Sequence, residues 1–97
     1  GLLGVQLPPD MGLHIRPCAS VHMWGMRRPL DVFFLDRDGV ILRVSELQPW
    51  QVGGAARAAS VLECAAGTIR RLGLRPGQQL QFRRLAPPLL EAKGLQP

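Results

Sequence analysis

Leu30-Asp31-Val32-Phe33-Phe34-Leu35-Asp36-Arg37-Asp38-Gly39-Val40-Ile41-Leu42-Arg43-Val44 decides how this chain is read. Two runs rich in β-branched and aromatic residues, Leu30–Leu35 and Val40–Val44, flank the break Asp36-Arg37-Asp38-Gly39. Asp side chains hydrogen-bond their own backbone in turns, and Gly39 reaches a positive φ without steric cost, so the spacing predicts a β-hairpin. Both arms are apolar on both faces over part of their length, which places the hairpin at the centre of the core.

An apolar run ending in Asp-x-Asp-Gly also resembles the nucleophile loop of the haloacid-dehalogenase-type phosphatases. That resemblance implies Asp36 as the group attacking phosphorus and Asp38 as general acid. Such an enzyme needs a doubly wound sheet and, downstream, a Ser or Thr, a Lys and further acids. Only 58 residues follow Gly39, and the sole lysine, Lys93, stands in a Pro-containing stretch. A calcium loop starting at Asp36 fares no better, because Val40 occupies its fifth position and Leu47 its closing one. The segment is therefore read as a turn, and no catalytic residue is assigned.

Ninety-seven residues support one domain with a small core. The chain is 46% hydrophobic and 20% charged, too apolar for intrinsic disorder. Its aromatics are Phe33, Phe34, Phe82, Trp24 and Trp50, so Leu, Val, Ile and Ala must fill most of the core. No run approaches 18 apolar residues, hence no transmembrane segment is expected. Gly1-Leu2-Leu3-Gly4-Val5 lacks the basic flank of a signal peptide, which makes the cytoplasm the default compartment. Cys18 and Cys64, in no Cys-x-x-Cys pair, form no disulfide framework and fit a reducing environment.

The net charge of +5 is unevenly placed. From residue 65 to residue 89 there are five arginines (Arg70, Arg71, Arg75, Arg83 and Arg84) and no acid, while the rest of the chain balances seven basic against seven acidic residues. Arg70, Arg71 and Arg75 are the candidate anion-binding residues, suited to a protein or polyanionic partner recognised without base sequence. The competing reading is a solvated face in an Arg-biased, bacterial-type composition.

Along the chain, residues 1–12 read as a loosely ordered lead-in, residues 13–84 as one globular domain and residues 85–97 as a Pro-containing tail. Leu13–Arg16 is a predicted strand ended by Pro17. Ser20–Met26 is a second, with His22, Trp24 and Met26 on one face. Residues 45–58 read as a loop pinned to the core by Trp50, and Ser60–Cys64 as a short strand. Ala65–Leu74 is the helical segment, with Ile69 and Leu72 facing the core and Gly73 placed as its cap. Arg75-Pro76-Gly77 turns into a last strand, Gln79–Arg83. The fold class is mainly β: a small antiparallel sandwich or barrel-like domain with one short helix near residues 66–73.

Several segments, in order, resemble domain-of-unknown-function family 192 of small bacterial and archaeal proteins. They are Arg16-Pro17-Cys18-Ala19-Ser20-Val21-His22, Met26 through Asp36 with Gly39, Pro49-Trp50, Ser60-Val61-Leu62-Glu63, Ala66-Gly67-Thr68, Leu72-Gly73-Leu74 and Gly77, over residues 11–82. The resemblance implies an antiparallel β sandwich or barrel with one short helix and no established activity. Cys64 and Gln78 depart from the family's usual apolar residue and acid, and its N-terminal helical segment is mostly absent.

Two constellations remain. His14, Cys18, His22, Met23 and Met26, with Met11 before them, are soft ligands of the kind Cu(I) prefers. On an unbroken strand His22 and Met26 stand about 13 Å apart, so core packing is the better reading and no metal or other cofactor is assigned. His22, Trp24, Arg28 and Asp31 form the candidate polar pocket, with Asp31 as a carboxylate buried beside arginine. The function expected is that of a binding or accessory module. The alternatives are a small hydrolase or metal-binding protein around His22 and Asp31, and an anion-binding module using the arginines.

Overall fold

A computed structural model describes residues 5–7 and 12–82. Its elements are β1 (Val5–Leu7), β2 (Gly12–Ile15), β3 (Ser20–His22), β4 (Leu30–Leu35), β5 (Ile41–Leu47), β6 (Val52–Gly54), β7 (Ser60–Ala65), α1 (Thr68–Leu72) and β8 (Leu80–Phe82). Four strands form an antiparallel sheet in the order β2-β7-β4-β5, β3 pairs with β6, and β1 runs parallel to β8. The fold is mainly antiparallel β with one short helix, and the main sheet is open, with β2 and β5 at its edges.

The hairpin predicted from the Asp-Arg-Asp-Gly break is present. β4 and β5 pair antiparallel, and β4 is also hydrogen-bonded to β7 on its other side. Alternation along β4 divides the core in two. Phe33 and Leu35 pack with Ile41, Leu62, Cys64, Leu74 and Leu80 on one face. Val32 and Phe34 pack with Val21, Met23, Leu47 and Val61 on the other. Five consecutive residues, Asp31 to Leu35, are buried, as a central strand covered on both faces requires. The register shifts between Phe34 and Leu35, where the partner moves from Arg43 to Ile41. This irregularity lets Ile41 and Val44, three residues apart, serve the same cluster.

The turn explains itself residue by residue. Asp36 Oδ1 accepts the backbone N–H of Asp38 at 2.8 Å and of Val40 at 2.9 Å, while the Asp36 N–H donates to the Val40 carbonyl at 2.9 Å. Gly39 has φ +83°, and a Cβ there would stand 2.7 Å from the Leu80 carbonyl oxygen. The Leu80 N–H donates to the Gly39 carbonyl at 2.8 Å, so the turn also holds the chain that leads into β8.

Several expectations are corrected. The strand expected at Ser20–Met26 stops at His22, because Gly25 at φ +76° and the Met26 N–H on the Met23 carbonyl (3.3 Å) make a turn. The stretch 45–58 is no plain loop: β5 runs on to Leu47, and Val52–Gly54 is a strand. Trp50 does not pin it to the core, since its side chain is 63% exposed. The helix is shorter than expected, bounded by Gly67 and Gly73 in left-handed conformation, with Ala65 belonging to β7. It buries Thr68 and half-buries Ile69, whereas Leu72 is exposed, because only one turn of so short a helix can touch the sheet. The last strand covers Leu80–Phe82. Val5–Leu7, inside the stretch read as a lead-in, pairs with it, and the tail at 85–97 lies outside the described residues.

Three substitutions test the turn. Gly39→Ala is expected to cost about 2 kcal/mol or more, from strained φ and the approach of Leu80. Asp36→Ala should cost about 1–3 kcal/mol by stranding two N–H groups, while Asp36→Asn, which keeps an acceptor oxygen, costs less. Urea denaturation of the three variants reads the order directly.

Candidate functional site

The residues expected to form one pocket are divided by the sheet. His22 follows Val21, which points into the core, so its ring points outward and is exposed. It stacks on Trp24 at a ring-centroid distance of 5.7 Å and an angle of 23°, and Trp24 meets Trp50 at 5.8 Å and 36°. Arg28 is exposed in the same connection between β3 and β4. Asp31 is buried at 2% exposure and belongs to the opposite face of β4, the face of Phe33 and Leu35. His22 and Trp24 are thus brought together, with Trp50 added, and Asp31 is not among them.

Asp31 does a different job. Its Oδ2 accepts the N–H of Ile69 at 2.8 Å, across 38 residues of sequence. The N-cap of α1 is Gly67, which has no side chain to offer, so an acceptor from β4 satisfies one of the helix's orphan donors. Its negative charge also suits the helix N-terminus. Burial first, and then the charge of Asp31, push the Cys64 thiol up to about 11, with Arg71 opposing. Asp31, Glu46, Gly67, Ile69 and Arg70 surround a small cavity of about 180 Å³. Arg70 lines this cavity, while Arg71 and Arg75 are exposed and not among the residues around it.

The larger concavity lies at the other end of β4, about 17 Å from Asp31 by strand rise. It has a volume of about 590 Å³, and its polar lining residues are His14, Arg16, Asp36, Arg37, Asp38 and Ser60, with Leu80 among the apolar ones. The Arg16-Pro17 peptide on its wall is cis. Burial, and secondarily the charge of Arg16, hold the His14 pKa below its ordinary 6.5. Four separate segments supply these groups, and no spacing within any one of them announces the site. The contact order of the fold, with Ala59 N–H on the Leu35 carbonyl (2.7 Å) and Cys18 N–H on the Ala59 carbonyl (3.1 Å), assembles it.

The phosphatase alternative finds no support in the loop's geometry. Asp36 Oδ1 is engaged by two backbone N–H groups, and both sheet neighbours of β4 are antiparallel. The soft-ligand residues are dispersed too: Met23 is fully buried, and the Cys18 thiol donates to the Ser20 carbonyl at 3.1 Å. Among the described residues no three His, Cys, Asp or Glu side chains are grouped to hold a metal ion. No described helix is long and apolar enough to cross a membrane.

With this geometry in place, the family model described as Uncharacterized ACR, COG1430 (DUF192) matches residues 1–82. The chain belongs to the DUF192 family. The UPF0127 protein PF1050 of Pyrococcus furiosus is 32% identical over 74 residues, which are 75% of this chain and 64% of that protein. A protein of unknown function from Novosphingobium aromaticivorans, solved by crystallography, superposes with a TM-score of 0.64 at 26% identity, covering 78% of this chain and 63% of its own. A candidate transcription regulator of Sinorhizobium meliloti gives 0.63 at 33% identity, covering 78% and 65%. The chain thus spans just under two thirds of the length of each of these relatives.

Removing the charge of Asp31 tests the electrostatics of this DUF192 core. In a Cys18→Ser background, Asp31→Asn is expected to lower the Cys64 pKa from about 11, as followed by the ultraviolet absorbance of the thiolate. The linkage has a definite sign. A thiol at 9.0 in the unfolded chain and about 11 in the folded one contributes stability that is complete below pH 9 and lost as pH rises toward 11. Cys64→Ala should flatten the fall in melting temperature across that window.

Proposed function

We propose that this protein is a binding module without catalytic machinery, and that its ligand seat is the cleft beside the β4–β5 turn. The observation that carries the reading is that cleft's composition. Within about 590 Å³ it offers guanidinium groups from Arg16 and Arg37, a carboxylate from Asp38, the His14 imidazole and the Ser60 hydroxyl, over an apolar floor that includes Leu80. That volume falls within the range of small-molecule pockets. Charges of both signs suit a small ligand that also carries both, such as a free amino acid or a short peptide terminus. The turn's own carboxylate, Asp36, is taken up in holding the backbone, which leaves recognition and not bond cleavage as the role of the charged rim.

Amide chemical-shift mapping against free amino acids tests this. Saturable shifts centred on Arg16, Asp38, Gly39 and Ser60, lost in Arg16→Ala with the fold intact, are the expected result. Shifts absent across the twenty amino acids and a set of dipeptides, or confined to residues away from the cleft, would overturn it.

A further inference from the structure

The His22, Trp24 and Trp50 rings serve neither the cleft nor the core. Trp24 is 53% and Trp50 63% exposed, and Val52 beside them is exposed as well. Large aromatic surface is kept out of water in most folded chains, so a three-ring ladder left open marks a place where something flat can stack.

The ladder is held in advance. Trp50 carries φ +71°, in the left-handed region that a bulky side chain avoids, and its N–H donates to the Met23 carbonyl at 2.8 Å. The Met23 N–H donates to the Gln51 carbonyl at 2.8 Å, and the Gln51 side chain accepts the Gln48 N–H at 2.8 Å. Met23 itself is fully buried, so the two connections that present the tryptophans are tied to each other and to the core. Strain kept at a non-glycine position that presents an exposed ring is the pattern of a binding surface.

Charge selects among flat ligands. Residues 20–30 contain Arg27 and Arg28, residues 47–58 contain Arg57, and neither stretch contains an acid. All three arginines are exposed. The acids that border these stretches in sequence, Asp31 and Glu46, belong to the other face of the sheet, where they line one small cavity. A neutral glycan would use the rings and leave the arginines idle, and an acidic peptide would do the reverse. Unpaired nucleotides use both: bases stack on indole faces while phosphates meet guanidinium groups, with every base acceptable because each has a π face. Duplexes keep their bases stacked inside and cannot reach the ladder in this way.

We propose that the His22–Trp24–Trp50 ladder, flanked by Arg27 and Arg28, is a stacking platform for single-stranded nucleic acid, bound without base-sequence preference. This site shares no residue with the cleft beside the β4–β5 turn and survives the failure of the reading given for it.

The test uses the full 97-residue chain and a short oligothymidine strand. At low salt the strand should quench tryptophan fluorescence and bind measurably more tightly than a duplex of equal length. Trp24→Ala and Trp50→Ala should each weaken binding about ten-fold or more. Since both side chains are exposed, circular dichroism is expected to show the fold retained; should either variant unfold, Trp→Phe at that position keeps a ring face and should retain part of the affinity. Replacing Arg27 and Arg28 together should flatten the dependence of log K on log salt by about 1.4, as expected for two phosphate contacts on a single strand. Three results would each overturn the proposal: no binding at low salt, affinity indifferent to both tryptophans, or dependence on Arg70 and Arg71 in place of Arg27 and Arg28. Quenching by a neutral oligosaccharide or an acidic peptide, with none by the oligonucleotide, would assign the ladder to that ligand and reject nucleic acid.

Discussion

Burial of β4 on both faces is the constraint on which the rest of this structure depends. A strand whose residues from Asp31 to Leu35 are all inside must be paired on both edges and covered on both sides, or it leaves apolar surface and backbone groups in water. β5 and β7 satisfy the edges. One side is covered by the β3–β6 ribbon through Val21 and Met23, the other by Ile69, Leu74 and Leu80. Each chemically interesting place on the molecule follows from which side of β4 a segment covers, or which end it reaches.

The same alternation explains why Asp31 is structural. Within a strand that is otherwise apolar, its face carries it toward α1, and the five-residue helix begins with a glycine that can cap nothing with its own side chain. A buried carboxylate without a partner would cost several kcal/mol, and a helix N-terminus without an acceptor would leave donors unsatisfied. The pairing meets both needs with one bond. Arg27 and Arg28, near Asp31 in sequence, are both exposed, so proximity along the chain was a poor guide to the partner of a buried charge. The helix that does partner it lies 38 residues away.

Legibility in the sequence follows the range of the interaction. The hairpin was readable because Asp36, Gly39 and two apolar runs are local, and local chemistry decides a turn. The strand at residue 60 and the Gly73 cap were readable for the same reason. The ends of β3 and β6 were not, because Gly25 and Trp50 both take positive φ, and nothing in a tryptophan's identity announces that. Trp50 looked like a core residue by hydrophobicity alone. Its exposure is a tertiary outcome: Met23, in the adjoining turn, takes the core position on that face and leaves both tryptophans outside. The cleft was equally invisible, since His14, Arg16, Asp38 and Ser60 come together only through the pairing of β2, β4 and β7.

The two ends of the arginine distribution can now be weighed against each other. The excess positive charge sits in the last third of the chain, where the described arginines, Arg70, Arg71 and Arg75, are exposed on a one-turn helix and its following loop. The remaining seven basic residues, six arginines and Lys93, are balanced in number by seven acids, but three of those acids are drawn off by the fold. Asp31 is buried at the helix, Asp36 is engaged in the turn and Glu46 faces the small cavity of Asp31. Arg27 and Arg28 are left in an acid-free connection beside exposed rings. Local charge balance in a folded chain is set by which carboxylates the fold has already engaged, and a net count along the sequence does not show it.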